Sequence, residues 1–436
     1  RLAPCGCAPW RAAGAPWAGH GPGRLPVSAA AGVTRPPLWT HGFRLLLVST
    51  FLGWSAEAMI RTVLPLRILD LGGDAATVGI VALAFALPTL LLRPPIGRRI
   101  DRTGHGRIHR IGPAVAGAAS LAFVVSGLLL VPFVRAVQGI GWACYGTANN
   151  VATARLAPPA RRGEASGLFN LAYAVGFLAG PPLALALYAG PGAAATFLAA
   201  ALLAFLALGV VDRLARVTPG ARIEPLPGSS DVPAVAGPST RGLRRIAGAW
   251  LEPAAVPLLV VAGLVLAGEA LLLGFAAVWT RQAGLPDGWL ALLFPVVGIL
   301  NAVTQLAGGR LSDRVGRRRA VIAGIGIAAV GLGVAILPLG APGYLAAAAV
   351  YAVASGLVVP AATAAAMDRA PEGRMGATLA TYSMAHQLAA GIGGIAWGLL
   401  IASFGFPWPF IVALAGLGVA LFAARRVLSP EAGVRG

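Results

Sequence analysis

The chain has 436 residues, of which 57% are apolar and only 11% charged, whereas a soluble domain carries about a quarter charged residues. That excludes a water-soluble globule, while the length suffices for many spans of about 20 apolar residues each. The formal net charge of +19 comes from arginine, with no lysine present; the arginines cluster in short segments between apolar runs, so the charge reads as membrane orientation rather than nucleic-acid binding.

Residues 1–41 are rich in Pro, Gly, Ala and Arg, lack apolar periodicity and do not begin with Met. They are expected to be a disordered tail that need not belong to the mature protein. Cys5, Cys7 and Cys144 form neither a metal-ligand pattern nor a disulfide framework.

Apolar runs follow near 43–69, 76–97, 109–126, 129–151, 164–188 and 193–211. After a polar stretch come runs near 254–280, 288–309, 319–339, 343–366, 375–402 and 407–427. Hydrocarbon offers the backbone no hydrogen-bond partner, so each run is expected to be a helix. The fold class is thus an all-α membrane protein of twelve transmembrane helices in two six-helix bundles. The bundles are expected over 42–211 and 253–428, joined by a cytoplasmic linker over 212–252 and followed by a tail over 429–436. The arginine-rich connections, such as Arg98 to Arg110 and Arg310 to Arg319, all fall on one side of this topology; Arg281 and Arg67 are the exceptions. The positive-inside rule puts that side, both termini and the linker in the cytoplasm of a multi-pass inner-membrane protein.

The two sets of six are copies. Gly97-Arg-Arg-Ile-Asp101-Arg102-Thr-Gly104-His-Gly-Arg107 follows the second run, and Gly309-Arg-Leu-Ser-Asp313-Arg314-Val-Gly316-Arg-Arg-Arg319 follows the eighth. The same offset carries Glu57 onto Glu269, Pro159 onto Pro371 and Arg162 onto Arg374. Four coincidences in register argue for duplication.

This paired G-x-x-x-D-R-x-G-x-x-R loop resembles the signature of the major facilitator superfamily, over about residues 42 to 428. The resemblance implies two six-helix bundles rocking about a central cavity. Read physically, Gly97 and Gly309 would admit a neighbouring helix, and Asp101 and Asp313 would face helix N-termini. Arg102, Arg107, Arg314 and Arg319 would then pair across a closed cytoplasmic face, with Gly104 and Gly316 completing the gate motif.

Charges inside hydrocarbon cost several kcal/mol and so mark function. Glu57 lies mid-run, with Arg61 one turn on and Trp54 three residues before. A local Glu57–Arg61 ion pair and a cavity-facing, proton-carrying Glu57 are both compatible with that spacing. Arg135-Ala-Val-Gln138-Gly139-Ile-Gly141 resembles the R-x-x-Q-G-x-G motif of proton-coupled members of the family. Helical stepping from Arg135 through Gln138, Trp142, Tyr145 and Asn149 makes a polar and aromatic stripe. It is expected to line substrate or water, the alternative being helix-to-helix hydrogen bonding. Glu57, Arg61, Arg135 and Glu269 are the proton-coupling candidates, with Glu57 and Arg135 as an exchange pair. Asn170, Asn301, Gln305, Tyr351, Ser355, Tyr382 and His386 join Trp54 and the stripe as cavity candidates.

Gly167, Gly176, Gly180 and Pro181 match the start of the family's antiporter motif G-x8-G-x3-G-P-x2-G-G, but Ala184 and Leu185 replace its last two glycines. In the second half Ile392 and Gly393 stand where Gly180 and Pro181 would be. The resemblance implies proton-coupled efflux of a small amphiphilic molecule; uptake of a polar nutrient such as a sugar or organic acid is the alternative. A monomer working with protons, substrate and bilayer is expected. No metal-ligand cluster or nucleophile–base pair is visible, so no cofactor and no enzymatic activity are expected.

Overall fold

The computed structural model describes residues 37–158, 161–218, 251–371 and 375–428. Thr40 opens α1 (His41–Asp70) by accepting the Phe43 N–H, and Asp74 opens α2 (Ala75–Thr103) by accepting the Thr77 N–H. Each side-chain oxygen satisfies a backbone donor that the first helical turn cannot. The first half continues with α3 (Gly106–Val125), α4 (Val131–Leu156), α5 (Arg162–Ala189) and α6 (Ala193–Val217). The second half holds α7 (Val256–Gly274), broken at Phe275 before the short α8 (Ala276–Gln282), then α9 (Leu290–Val315), α10 (Arg317–Ile336) and α11 (Gly340–Asp368). It ends with α12 (Met375–Leu388), a π-helical turn (Ala389–Gly393), α13 (Gly394–Phe404) and α14 (Pro407–Val427).

Counting α7–α8 and α12–α13 as one crossing each gives twelve among the described residues. Eleven are long and apolar enough to cross a membrane. The twelfth, α4, has the length, but Arg135, Gln138, Asn149 and Asn150 lower its hydropathy. Large side chains such as Val125, Leu129, Phe133 and Leu306 are more than two-thirds exposed on the outer surface. Water would not tolerate so wide an apolar belt, whereas lipid does.

Each half is built around its first helix. α1 packs on α4, α5 and α6, and α7 packs on α11, α12 and α14. The fit depends on missing side chains. A methyl group at Gly176 would lie 2.7 Å from the Phe51 carbonyl oxygen, and one at Gly180 would lie 2.5 Å from the Ala58 Cβ, so α5 lies against α1 backbone to backbone. A tyrosine bolts each pair across: Tyr145 of α4 donates to the Ser49 carbonyl of α1, and Tyr351 of α11 donates to the Val265 carbonyl of α7, both at 2.6 Å.

The halves meet where α2 crosses α12–α13 and α5 crosses α9. A methyl group at Gly79 would sit 2.5 Å from the Gly394 carbonyl oxygen, and one at Gly398 would sit 2.4 Å from that of Ala75. Asp70, at the same end, pairs with Arg281 of the other half at 3.2 Å. At the opposite end the ion pairs of Arg110 with Asp212, and of Arg317 with Asp313 and Asp368, each stay inside one half. The bundle is therefore closed at the end that carries residues 71–74 and 283–289.

The duplicated loops match in backbone. Gly104 and Gly316 end α2 and α9 at φ of +78° and +91°, each donating its N–H to the carbonyl four residues back. That conformation explains the glycine of each copy, since a Cβ there is strained. The expectation for Gly97 and Gly309 is corrected. A methyl group at either would meet nothing within 4 Å, and the close approach is made one residue earlier, by Gly308 against the Gly356 carbonyl oxygen at 2.8 Å.

Candidate functional site

Glu57 and Arg135 form the most deeply buried ion pair among the described residues, at 2% and 5% exposure. Arg135 Nη2 donates to Glu57 Oε1 at 2.8 Å, and Nη1 donates to Oε2 at 3.3 Å and to Gln138 Oε1 at 2.5 Å. Gln138 Nε2 donates back to Glu57 Oε2 at 3.3 Å. The guanidinium lies 4.0 Å from the centre of the Phe85 ring. Arg135 thus spends its charge on one carboxylate, one amide and one aromatic face. Desolvation of such a pair is offset only by this kind of complete pairing. α4 comes close enough because it carries Gly139 and Gly141: a methyl group at Gly139 would lie 2.5 Å from the Phe85 carbonyl oxygen, and one at Gly141 would lie 3.0 Å from that of Gly112.

Arg61 does not join the pair. It is the one exposed residue between Ser49 and Leu69 on the buried α1, and its guanidinium lies 5.7 Å from the Phe177 ring. The local Glu57–Arg61 pairing is therefore not formed. An exposed arginine on a helix surrounded by others must face an opening inside the bundle.

The expectation that the α4 stripe lines that opening is corrected. Gln138, Trp142, Tyr145 and Asn149 are all buried within the first half. His109 Nε2 meets Asn149 Oδ1 at 2.8 Å, and the Trp142 ring packs 4.5 Å from that of Trp54. Gln138, Trp142, Tyr145 and Glu57 instead surround a small cavity inside the first half, with Gly53 and Pro113. Tyr351 and Tyr382 are likewise buried, their hydroxyls on the Val265 and Val359 carbonyls. A helical period marks which residues share a face, but it does not say whether that face meets a neighbour or water.

The side chains that stay open at mid-bundle are fewer. Arg61, Asn170, Gln305 and His386 are exposed, and Glu269 and Asn301 are half-buried. Glu269 stands within hydrogen-bonding range of Ser355 and within electrostatic reach of Arg61. His386 stands within electrostatic reach of Arg61 and Arg93. On the second half the amides are chained: Gln305 Nε2 donates to Asn301 Oδ1 at 2.5 Å, and Asn301 Nδ2 donates to Ser355 Oγ at 2.7 Å.

The antiporter-like segment separates by role. Gly176 and Gly180 are the α1 contact, Pro181 is buried inside α5, and Gly167 is exposed with nothing within 4 Å of an added methyl group. The matching stretch of the second half is the π-helical turn Ala389–Gly393, where a methyl group at Gly391 would press on Ala86 Cβ at 2.7 Å. Ordinary helix is thus interrupted at this place in the second half, whereas α5 runs on through Pro181 and Pro182.

In the gate loops Asp313 pairs with Arg317, which also reaches Asp368 at 3.4 Å and Ser312 Oγ at 3.1 Å. Arg107, Arg314 and Arg319 are exposed, and Arg314 and Arg319 make no ion pair among the described residues at this end, where the pairing is expected for a closed face; the ion pairs of the second loop are made by Arg317, which the motif does not include. The side chains of Asp101, Arg102 and Arg162, and residues Pro159 and Arg374, lie outside the described set. No group of three potential metal ligands occurs among the described residues.

Sequence reasoning missed Phe85, His109, Arg93 and Tyr173. It also missed the Asp70–Arg281 contact, which Tyr188 and Asp287 complete: Arg281 donates to Tyr188 Oη at 3.0 Å and to both Asp287 oxygens at 2.6 Å, and Tyr188 also bonds Asp70. These hydrogen bonds with Asp287 hold the Arg281 pKa above its ordinary value. The one signal for it was a lone arginine in loops otherwise free of them.

Two duplicated helical halves, an apolar outer belt and charges buried or enclosed at mid-depth define a membrane transport protein. The family model described as Major Facilitator Superfamily matches residues 46–393 and again 258–435, and the chain belongs to that superfamily. An uncharacterized MFS-type transporter of Salmonella typhimurium is 26% identical over 87% of this chain and 96% of its own length. The staphylopine export protein of Staphylococcus aureus is 28% identical over 34% of this chain, a match spanning only 37% of that protein. Multidrug resistance protein 2 of Bacillus subtilis is 28% identical over 32% of this chain and 35% of its own length. Among solved structures, a bacterial homolog of the human lysosomal transporter Spinster, inward-facing and unoccupied, superposes with a TM-score of 0.73 at 16% identity, covering 91% of this chain and all of that one. A bacterial homologue of the iron transporter ferroportin, also inward-facing, gives 0.68 at 18% identity, covering 89% of this chain and 98% of that one.

Proposed function

We propose that this chain is a secondary active exporter that exchanges protons for a small amphiphilic molecule by alternating access. The observation that carries the proposal is the Glu57–Arg135–Gln138 cluster. An acid held by an arginine inside the bilayer can exist in two states that differ by one charge, neutral when the pair is intact and positive when the acid is protonated. Either the carboxylate is charged and paired, or it is protonated and Arg135 is free for another partner. Proton arrival on Glu57 would thus release α1 from α4 at the point where α1 also contacts α5. With the arginine-rich loops in the cytoplasm, the closed end is the outer one and the structure is inward-open.

Efflux is supported by the tight Gly176 and Gly180 contact and by the names of two relatives that match parts of the chain. A second reading, uptake of a polar solute, draws on the Gln305–Asn301–Ser355 amide chain, which offers hydrogen bonds to the opening.

The test uses purified protein in proteoliposomes with a trapped pH-sensitive dye and a panel of candidate solutes. Glu57→Gln is expected to abolish solute-induced proton movement while leaving solute-for-solute exchange. Full gradient-driven transport by that variant would sink the proposal, and the sign of the proton flux reports direction.

A further inference from the structure

Among the described residues, Arg61 and Glu269 are mid-bundle charges of opposite sign on opposite halves, each without an ion-pair partner. Glu57 could have neutralised Arg61 one turn away, but two contacts from Arg135 and one from Gln138 occupy it. Arg61 is left exposed, with the faces of Phe177 and Tyr173 nearby. Glu269 occupies the duplicate position of Glu57, yet no arginine of its own half pairs with it among the described residues.

Glu269 is prepared to accept. Gln305 donates to Asn301, Asn301 donates to Ser355 Oγ and to the Ala352 carbonyl, and the Ser355 hydroxyl, 3.3 Å from that same carbonyl, also stands within hydrogen-bonding range of Glu269. The chain ends beside Glu269. Such a chain stabilises a negative charge and orients it. Arg61 and Glu269 feel each other electrostatically but do not close into an ion pair.

We propose that Arg61 and Glu269 are the two ends of a site for a zwitterion, with a carboxylate of the solute on Arg61 and its ammonium group on Glu269. The apolar body of the solute would rest against Phe177 and Tyr173. Two unpaired charges in a low-dielectric opening are costly. A solute bearing the complementary pair relieves both at once and ties one half to the other. Bidentate geometry suits the guanidinium end to a carboxylate. Arg93, within electrostatic reach of His386, adds positive charge beside the site, so an anion without an ammonium group is the competitor to be excluded. The inference rests on the transporter reading above and adds the solute's charge to it.

Binding to protein in lipid nanodiscs, without any gradient, tests it. The probes are phenylalanine, N-acetylphenylalanine and phenylalanine methyl ester, which share a body and carry both charges, only the negative one and only the positive one. Phenylalanine is expected to bind roughly tenfold or more tightly than either analogue, the factor that one charge-assisted hydrogen bond supplies. Glu269→Gln should erase the preference over N-acetylphenylalanine alone, and Arg61→Gln the preference over the ester alone. Unfolding temperatures of both variants within a few degrees of the parent show that the fold is kept. Equal binding of N-acetylphenylalanine and phenylalanine overturns the proposal, as does binding of none of the three at millimolar concentration. Proton exchange with an uncharged or purely cationic solute, without zwitterion preference, would defeat this inference alone. Zwitterion preference without proton movement would defeat the exchange mechanism alone.

Discussion

Glu57 of α1 and Arg135 of α4 lie 2.8 Å apart in a two-pronged ion pair, although Arg61 stands one turn from Glu57 on its own helix. The choice of partner follows from packing. Gly139 and Gly141 bring α4 close beside α2 and α3, and Phe85 and Gln138 complete the nest for the guanidinium. A buried pair of this kind has a stability signature. Glu57→Gln strands a positive charge and should cost about 3–5 kcal/mol, whereas Glu57→Gln with Arg135→Gln should cost clearly less. Thermal unfolding in detergent checks this, and strict additivity of the two single losses would contradict it.

Arg135→Lys keeps the charge but loses the fork. A lysine is a point donor that cannot bridge both Glu57 oxygens and Gln138 while lying over Phe85. The variant should fold, lose about 1–2 kcal/mol, and shift the pH dependence of exchange without abolishing it. A parent-like pH profile would show that the bidentate geometry is not used.

The glycines of α5 are not alike. Gly176→Val and Gly180→Val would press into α1 backbone and should cost about 1–3 kcal/mol each through overpacking. Gly167→Ala meets nothing and should be neutral or slightly stabilising. The duplicated loops divide in the same way. Gly104→Ala and Gly316→Ala force a Cβ into positive φ and should cost about 1–2 kcal/mol, while Gly97→Ala and Gly309→Ala should cost nothing. Unfolding midpoints of the seven variants separate the two groups.

Arg281 joins Asp70, Tyr188 and Asp287 across the closed end. Half-exposed ion pairs are individually worth about 1 kcal/mol or less, but only the contacts to Asp70 and Tyr188 cross between halves. Arg281→Gln should shift the population toward opening at that end by roughly fivefold. Distances between spin labels placed on the outer ends of α1 and α9 measure it; an unchanged distribution would mean that the Gly79, Gly394 and Gly398 contacts alone hold the closure.

The sequence by itself determined the class of fold. Apolar runs of membrane length need internal hydrogen bonds and become helices whatever their neighbours do, and the G-x-x-x-D-R-x-G-x-x-R copies announce the duplication. It also singled out Glu57, Arg135, Arg61 and Glu269, because charge in hydrocarbon is costly wherever the chain folds it. The tertiary structure decided which charges pair and which face open space. The α4 stripe from Gln138 to Asn149 has the period of a lining face, yet α1 and α3 cover it, and His109 and the Ser49 carbonyl take the Asn149 Oδ1 and the Tyr145 hydroxyl. Periodicity is a property of one helix, whereas burial depends on the neighbours that glycines such as Gly139, Gly176 and Gly180 admit. That is why two glutamates at duplicate positions differ: Glu57 is locked to Arg135 inside one half, and Glu269 is left facing Arg61 across the gap between the two.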